Sequence, residues 1–502
     1  MPSVFNSKRS HIAMFFAQLS VFAACILVLS LAINPATPAG QNPTVKPVLA
    51  LYEQKSEHKL QPLVRADQID DTSTTPNSTE TNTGTIVPDD NYVRQQWSLH
   101  NDPSITGASG LFGSHEYLTS PTEVVVAVVD SGVMLEHEDL HFLPGYDFIH
   151  EPTVGNDGDG RDHDPSDPGD WVVSEDIAQQ IVNDGCPTTA SKWHGTAISG
   201  VISATANNAT GIAGGSPSVS LLPVRVTGKC GGYVSDLIDG IRWAAGLDVD
   251  GVARNQHPAD VINLSVGFPG NCSSAMQRTI NDATEAGAVL VTAATNSSVN
   301  LDTEPYSPAS CENIITVAAT DRAGAVTSYT ALGQSVFMSA PGGTVTDGII
   351  TTQNDGKDFP NPESSYGYHY GTSIAAAHVS STVANLLSYK PDLTQPQIEQ
   401  LLSVSAIPTD FDPRCRSGEC GEGRLDAYAA MELLAGNYLL DSELPELAEA
   451  APVPLVATTA VTRDSVVTTA ADEEDIWAGA TDWYHFLLLV LLLTVRWRIK
   501  LK

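Results

Sequence analysis

Three short stretches carry residues that together could break an acyl bond. They are Val128-Val129-Asp130-Ser131-Gly132, Trp193-His194-Gly195-Thr196 and Gly371-Thr372-Ser373-Ile374-Ala375. They supply a carboxylate, an imidazole and a hydroxyl. A serine hydroxyl is a poor nucleophile until a base takes its proton. His194 is the candidate base, and Asp130 could fix its tautomer and stabilise the imidazolium that forms. The chain order Asp, His, Ser is one of three in which unrelated folds carry such triads. Attack by the hydroxyl would place negative charge on a carbonyl oxygen, which needs hydrogen-bond donors. Asn296 follows a β-branched run and could offer its side-chain amide. Ser373 opens a segment with helical spacing, and the amide end of a helix also favours a developing oxyanion.

Such residues need a scaffold, and the apolar pattern predicts one. Val124–Val129, Leu221–Val226, Val261–Val266, Val289–Ala293 and Ile314–Ala318 are short β-branched runs of the kind buried in a parallel sheet. Segments around Thr196–Ala206, Val234–Ala245, Ser273–Ala286 and Ser373–Ser388 have helical spacing. This alternation predicts an α/β fold with a mainly parallel central sheet. Sites in such folds lie beyond the carboxyl ends of strands. Asp130 ends one strand run, and Asn296 follows another.

The ordered set of motifs resembles the subtilisin-like serine proteases, the subtilases, in a bacterial secreted form, over residues 91–435. The resemblance rests on the Asp130 motif, His194-Gly195-Thr196, Asn263-Leu264-Ser265-Val266-Gly267, Ala293-Ala294-Thr295-Asn296, Gly371-Thr372-Ser373-Ile374-Ala375-Ala376 and Gly421-Glu422-Gly423-Arg424-Leu425-Asp426-Ala427. It implies a three-layer domain with helices on both faces of the sheet. It also implies a serine endopeptidase that hydrolyses peptide bonds through an acyl-enzyme intermediate on Ser373. Asp130, His194 and Ser373 would be the triad and Asn296 the oxyanion donor. Ser265, Val266 and Gly267, with Gly231 and Gly232, would be backbone edges that pair with an extended protein or peptide substrate. The chemistry needs no cofactor; the resemblance adds a structural calcium held by Asp139 and Asn208. The expected state is a monomer. Three positions depart from the family's common pattern: Thr295 stands where Gly is frequent, Ile374 where Met is, and Ala377 where Pro is.

Other motifs compete. His137-Glu138-Asp139-Leu140-His141 matches HExxH, a zinc protease signature that needs both histidines on one face of a helix. Pro144-Gly145 follow at once, and no long helical pattern surrounds it. The loop Asn156–Asp164 is dense in oxygen ligands but has Pro168 where an EF-hand would have its terminal Glu. Calcium there competes with a solvated acidic loop. An α/β-hydrolase is excluded, because G-x-S-x-G would need Gly where Ala375 stands and its order is Ser, Asp, His. A catalytically idle, surface-tethered binding protein on the same fold is the alternative from another class.

The flanks read as export and attachment segments. Lys8 and Arg9 precede an apolar run from Ile12 to Ile33, so residues 1–39 read as a signal peptide or N-terminal anchor. Residues 40–90 have polar pro-segment or linker composition, and residues 436–476 read as an acidic flexible spacer. In residues 477–502, Trp483-Tyr484 lead into an aliphatic run and then Arg496, Arg498, Lys500 and Lys502. That order suits a membrane-held sorting tail. Twenty-five Lys and Arg against 59 Asp and Glu give a net charge of −34. Such acidity argues against nucleic acid as a partner. Of the 7 cysteines, Cys25 lies in the export segment, and the remaining six favour three disulfides with the pairing open.

Overall fold

The computed structural model describes residues 87–178, 186–409, 412–415 and 417–436, and the backbone of Ala50–Leu51. The expected export segment, most of the 40–90 segment, and the spacer and tail after Gly436 lie outside the described residues. Among the described residues, no helix is long and apolar enough to cross a membrane.

Seven strands form one sheet: β1 (Val124–Asp130), β2 (Tyr146–Asp147), β3 (Val219–Arg225), β4 (Val261–Leu264), β5 (Val289–Ala293), β6 (Ile315–Thr320) and β7 (Met338–Pro341). Their spatial order is β7-β6-β5-β4-β1-β3-β2, and every pairing is parallel. A parallel sheet is covered on both faces, which is why its strands read as unbroken apolar runs. Along β1 the side chains alternate between two cores. Val124, Val126 and Val128 join one apolar cluster, and Ala127 and Val129 join the other.

The two clusters define the outer layers. On one face lie α1 (His194–Ser203), α4 (Thr372–Tyr389), α5 (Gln395–Ser405) and α6 (Ala427–Ala435). On the other lie α2 (Val234–Ala244) and α3 (Ser274–Glu285). The expected three-layer α/β architecture is therefore present. α4 is buried from Thr372 to Ser388. A helix enclosed all round must be apolar or small all round, and its run of Ala, Ser and Val meets that demand. α3 starts where Ser273 caps the amide of Met276, and α6 starts where Asp426 caps Ala429. Each cap satisfies an otherwise orphaned N–H.

β1 is where the winding reverses. β2 and β3 lie on one side of it, and β4 to β7 on the other. Open α/β sheets bind ligands outside the carboxyl ends of strands at such a switch point. Asp130 is the last residue of β1, so topology alone puts it at that crevice. Three disulfides join Cys186 to Cys230, Cys272 to Cys311 and Cys415 to Cys420. The first spans the segment that contains His194.

Candidate active site

His194, the candidate base, is carried by a helix that starts very close to the end of β1. α1 begins at His194 after Trp193, whose φ of 57° is left-handed and whose side chain caps nothing. A Cβ on Gly195 would lie 2.2 Å from the Gly132 carbonyl oxygen and 3.2 Å from Asp130 Cβ. Only glycine lets α1 approach the end of β1 so nearly. That approach places His194 Nδ1 2.7 Å from Asp130 Oδ1 and 2.9 Å from Oδ2. The Ser131 N–H also donates to Asp130 Oδ1, at 2.7 Å. Asp130 and His194 are 0% and 3% exposed. With Nδ1–H given to the carboxylate, Nε2 is the basic nitrogen of the ring.

Ser373 is the second residue of α4, after Gly371 at the N-cap. α4 packs directly against α1. Ser373 Oγ is buried and has no hydrogen-bond partner among the described residues, as a hydroxyl kept for a substrate would be. The first turn of α4 has no side-chain cap of its own. Asn296 fills that role from the loop after β5: its Oδ1 accepts from Thr372 N–H at 2.9 Å and from Thr372 Oγ1 at 3.0 Å. The amide oxygen is thus committed to the helix, and the Nδ2 donor is turned to the other side. Thr295 before it has φ 99°, a region that β-branched residues rarely enter. Its N–H donates to Thr372 Oγ1 at 3.3 Å, and its own Oγ1 pairs with Ser297 Oγ at 3.0 Å. Ile374 belongs to the apolar core.

The two edges nominated for substrate pairing both belong to short strands. Ser265 joins β4 to a short strand Val266–Pro269, and Gly231–Gly232 pairs antiparallel with Thr227–Gly228. The chain's own Ala50–Leu51 pairs antiparallel with Val266–Gly267 and contacts Gly231–Gly232. A segment of this protein therefore runs between the two nominated edges.

The metal candidates fare differently. Asp139 and Asn208 are brought together, but as a hydrogen-bonded pair: Asn208 Nδ2 donates to Asp139 Oδ1 at 2.8 Å, and Ile212 N–H donates to Oδ2 at 3.0 Å. Asn208 Oδ1 accepts from Thr210 N–H. Both carboxylate oxygens face N–H donors, and the amide presents nitrogen where a cation would need oxygen. This arrangement does not fit a calcium ion. The HExxH residues lie in turns, not on a helix. His137 Nε2 sits 3.1 Å from the Ser365 carbonyl, and His141 is exposed. The helix that a zinc site needs is missing because Pro144-Gly145 break the segment. In the Asn156–Asp164 loop, Asp157 is an ion-pair partner of buried Arg225, as is Asp147. Among the described residues no group of three His, Cys, Asp or Glu is arranged around a metal position.

Two buried residues beside these groups, Arg225 and Asp167, are not singled out by the sequence. Arg225 faces Asp130 across the β1–β3 register, and its Nε donates to the Ser131 carbonyl at 3.2 Å. Asp167 Oδ2 accepts from Ser131 Oγ at 2.9 Å. Neither has a motif or a periodic pattern to flag it.

Residues 122–431 match the model of the subtilase family. The chain belongs to the subtilase family. It is 39% identical over 357 residues to an extracellular protease of Xanthomonas campestris pv. campestris, across 69% of this chain and 57% of that protein. It is 38% identical over 364 residues to an extracellular basic protease of Dichelobacter nodosus, across 70% of this chain and 57% of that protein. This subtilase thus spans 57% of the length of each of these curated relatives. A solved protease of Pseudoalteromonas arctica superposes with a TM-score of 0.64 at 38% identity, covering 70% of this chain and 100% of that one.

Proposed function

We propose that this chain is an exported serine endopeptidase, with Asp130, His194 and Ser373 as its triad. The observation that carries the reading is the 2.7 Å contact between His194 Nδ1 and Asp130 Oδ1, at the carboxyl end of β1. Ser373 Oγ attacks the scissile carbonyl carbon and passes its proton to His194 Nε2. Asp130 keeps the ring in the tautomer that can accept that proton and stabilises the imidazolium. The carbonyl oxygen becomes an oxyanion, which accepts from Asn296 Nδ2 and from the Ser373 N–H at the start of α4. As the tetrahedral intermediate collapses, His194 protonates the leaving amine and an ester remains on Ser373. Water, deprotonated by His194, then releases the acid.

The substrate would be an extended peptide that adds a strand to the Ser265–Gly267 edge, with Gly231–Gly232 on its other side. The pairing of Ala50–Leu51 with Val266–Gly267 supports this, since it is the hydrogen-bonding that a substrate strand would make. Residues 40–90 then act as a pro-segment, of which Ala50–Leu51 pair with the chain's own substrate edge. The names of the extracellular relatives support export. Residues 1–39 serve as the export segment, and 477–502 hold the precursor at the membrane before release.

The test is labelling of the full-length protein with a fluorophosphonate, alongside cleavage of a generic unfolded protein. Label on Ser373 and probe-blocked cleavage are expected. Cleavage that ignores the probe but stops with a zinc chelator would overturn the assignment, as would a folded protein that neither labels nor cleaves after removal of residues 40–90.

A further inference from the structure

The triad reading leaves one buried carboxylate beside the site with nothing to do. Asp167 is 4% exposed. It lies 37 positions after Asp130 in the loop that precedes α1. A buried carboxylate is costly unless its oxygens are matched by donors. Here both are: Gly169 N–H donates to Oδ1 at 2.8 Å and Ser131 Oγ donates to Oδ2 at 2.9 Å. Arg225 is near, but its guanidinium is engaged by Asp147, Asp157 and the Gly155 carbonyl.

Ser131 is the residue through which Asp167 reaches the triad. Its backbone N–H donates to Asp130 Oδ1. Its hydroxyl accepts from Gly195 N–H at 3.2 Å. Gly195 follows His194 in the first turn of α1, where amides have no intrahelical partner. α1 lacks a side-chain cap at Trp193, so Ser131 caps it from the end of β1. One residue therefore touches the triad carboxylate with its amide and the helix carrying the base with its hydroxyl.

The direction of that hydroxyl is settled by Asp167. A hydroxyl has one hydrogen to give. Gly195 N–H can only donate, so toward Gly195 the hydroxyl must present a lone pair. Its hydrogen needs an acceptor elsewhere, and Asp167 Oδ2 is that acceptor. Gly169 holds the other carboxylate oxygen and keeps Asp167 from turning.

We propose that Asp167 is a positioning residue for the triad, acting through the Ser131 hydroxyl to lock the His194 helix onto the Asp130 strand end. The proposal rests on the serine-endopeptidase reading above. It assigns to Asp167 no contact with substrate. Its effect lies in the His194–Asp130 geometry, where a misplacement of ~1 Å can cost ~100-fold in rate.

The experiment uses the full-length protein and two readouts: the fluorophosphonate labelling rate at Ser373, and kcat and KM on a chromogenic peptide. Asp167→Asn cannot accept from both Gly169 and Ser131, because an amide has only one oxygen. Ser131→Ala removes the intermediary without removing a charge. Each is expected to lower kcat and the labelling rate by about 10- to 100-fold, with KM within about twofold. The double variant is expected to be no slower than the worse single, since both act on one hydroxyl. Ser131→Thr, which keeps an oxygen at the same place, is expected to recover most of the loss. Multiplying losses in the double variant, or an unchanged kcat in Ser131→Ala, overturns the proposal. If Asp167→Asn does not fold, the Ser131→Ala and Ser131→Thr pair decides: without a loss in the first and recovery in the second, the proposal fails. An unlabelled, inactive wild type would instead overturn the endopeptidase reading.

Discussion

Asn296 Oδ1 lies 2.9 Å from Thr372 N, so the residue expected to meet the oxyanion also caps the helix that carries Ser373. One amide group serves two structures. Its oxygen fixes the start of α4, and that contact aims its nitrogen. Asn296→Ala should therefore fail twice. Turnover should fall about 10²- to 10³-fold through the lost oxyanion donor, with KM little changed. Stability should fall by about 1 kcal/mol through the lost cap. Steady-state kinetics and a thermal melt on the same sample check both. A melt that does not move would mean that the cap contributes nothing.

Asp130→Asn tests the other half of the site. The asparagine keeps the shape but can hold His194 in the wrong tautomer. In a triad of this type the change costs ~10⁴ in kcat. The same order is expected here, because His194 Nδ1 faces both Asp130 oxygens within 2.9 Å. Activity within tenfold of wild type would show that Asp130 does not orient the base.

Much of this was legible in the sequence, for a physical reason. Strands of a parallel sheet are buried on both faces, so β1, β3, β4, β5 and β6 appear as apolar runs. β7 did not appear, because Met338-Ser339-Ala340-Pro341 is only 4 residues long and carries no β-branched side chain. β2, at two residues, is too short for any periodic signal. Asp130, His194 and Ser373 were legible as candidates because each sits in a short local motif. Asp167 and Arg225 were not, because their partners are 36 and 94 positions away. Asp139 and Asn208 are neighbours, and they meet as a hydrogen-bonded pair. Sequence gives the two residue types, and only the hydrogen bonds show that the amide nitrogen faces the carboxylate.

Thr295 should be replaceable with gain. At φ 99° its β-branched side chain sits in a backbone region suited to glycine. Such strain costs about 1–3 kcal/mol. Against relief of that strain stand the lost Thr295–Ser297 hydroxyl contact and the greater chain entropy of glycine, about 0.5–1 kcal/mol. Thr295→Gly should raise stability by only a few tenths of a kcal/mol on these terms, read as a slightly higher Tm, with kcat near wild type. A lower Tm would show that the hydroxyl contact outweighs the strain.

Stability should also carry a pH signature from Asp139. Burial pushes this carboxyl up to about 6, more than the hydrogen bonds from Ile212 and Asn208 pull it down, with the Asp90 charge adding to the rise. In the unfolded chain the group titrates near 3.8. Between these values the folded protein holds a proton that the unfolded chain has lost. Its contribution is therefore fully present below about 3.8 and is lost as pH rises through about 6. Asp139→Asn removes the titration, and it also removes one acceptor, since Asn208 and Ile212 donate to different oxygens. The variant should be less stable than wild type throughout. The gap should be widest near pH 4 and should narrow by pH 6.5, measured by denaturant unfolding at both values. A gap that widens with pH would mean that the folded site favours the ionised carboxylate, and the burial argument for Asp139 would fall.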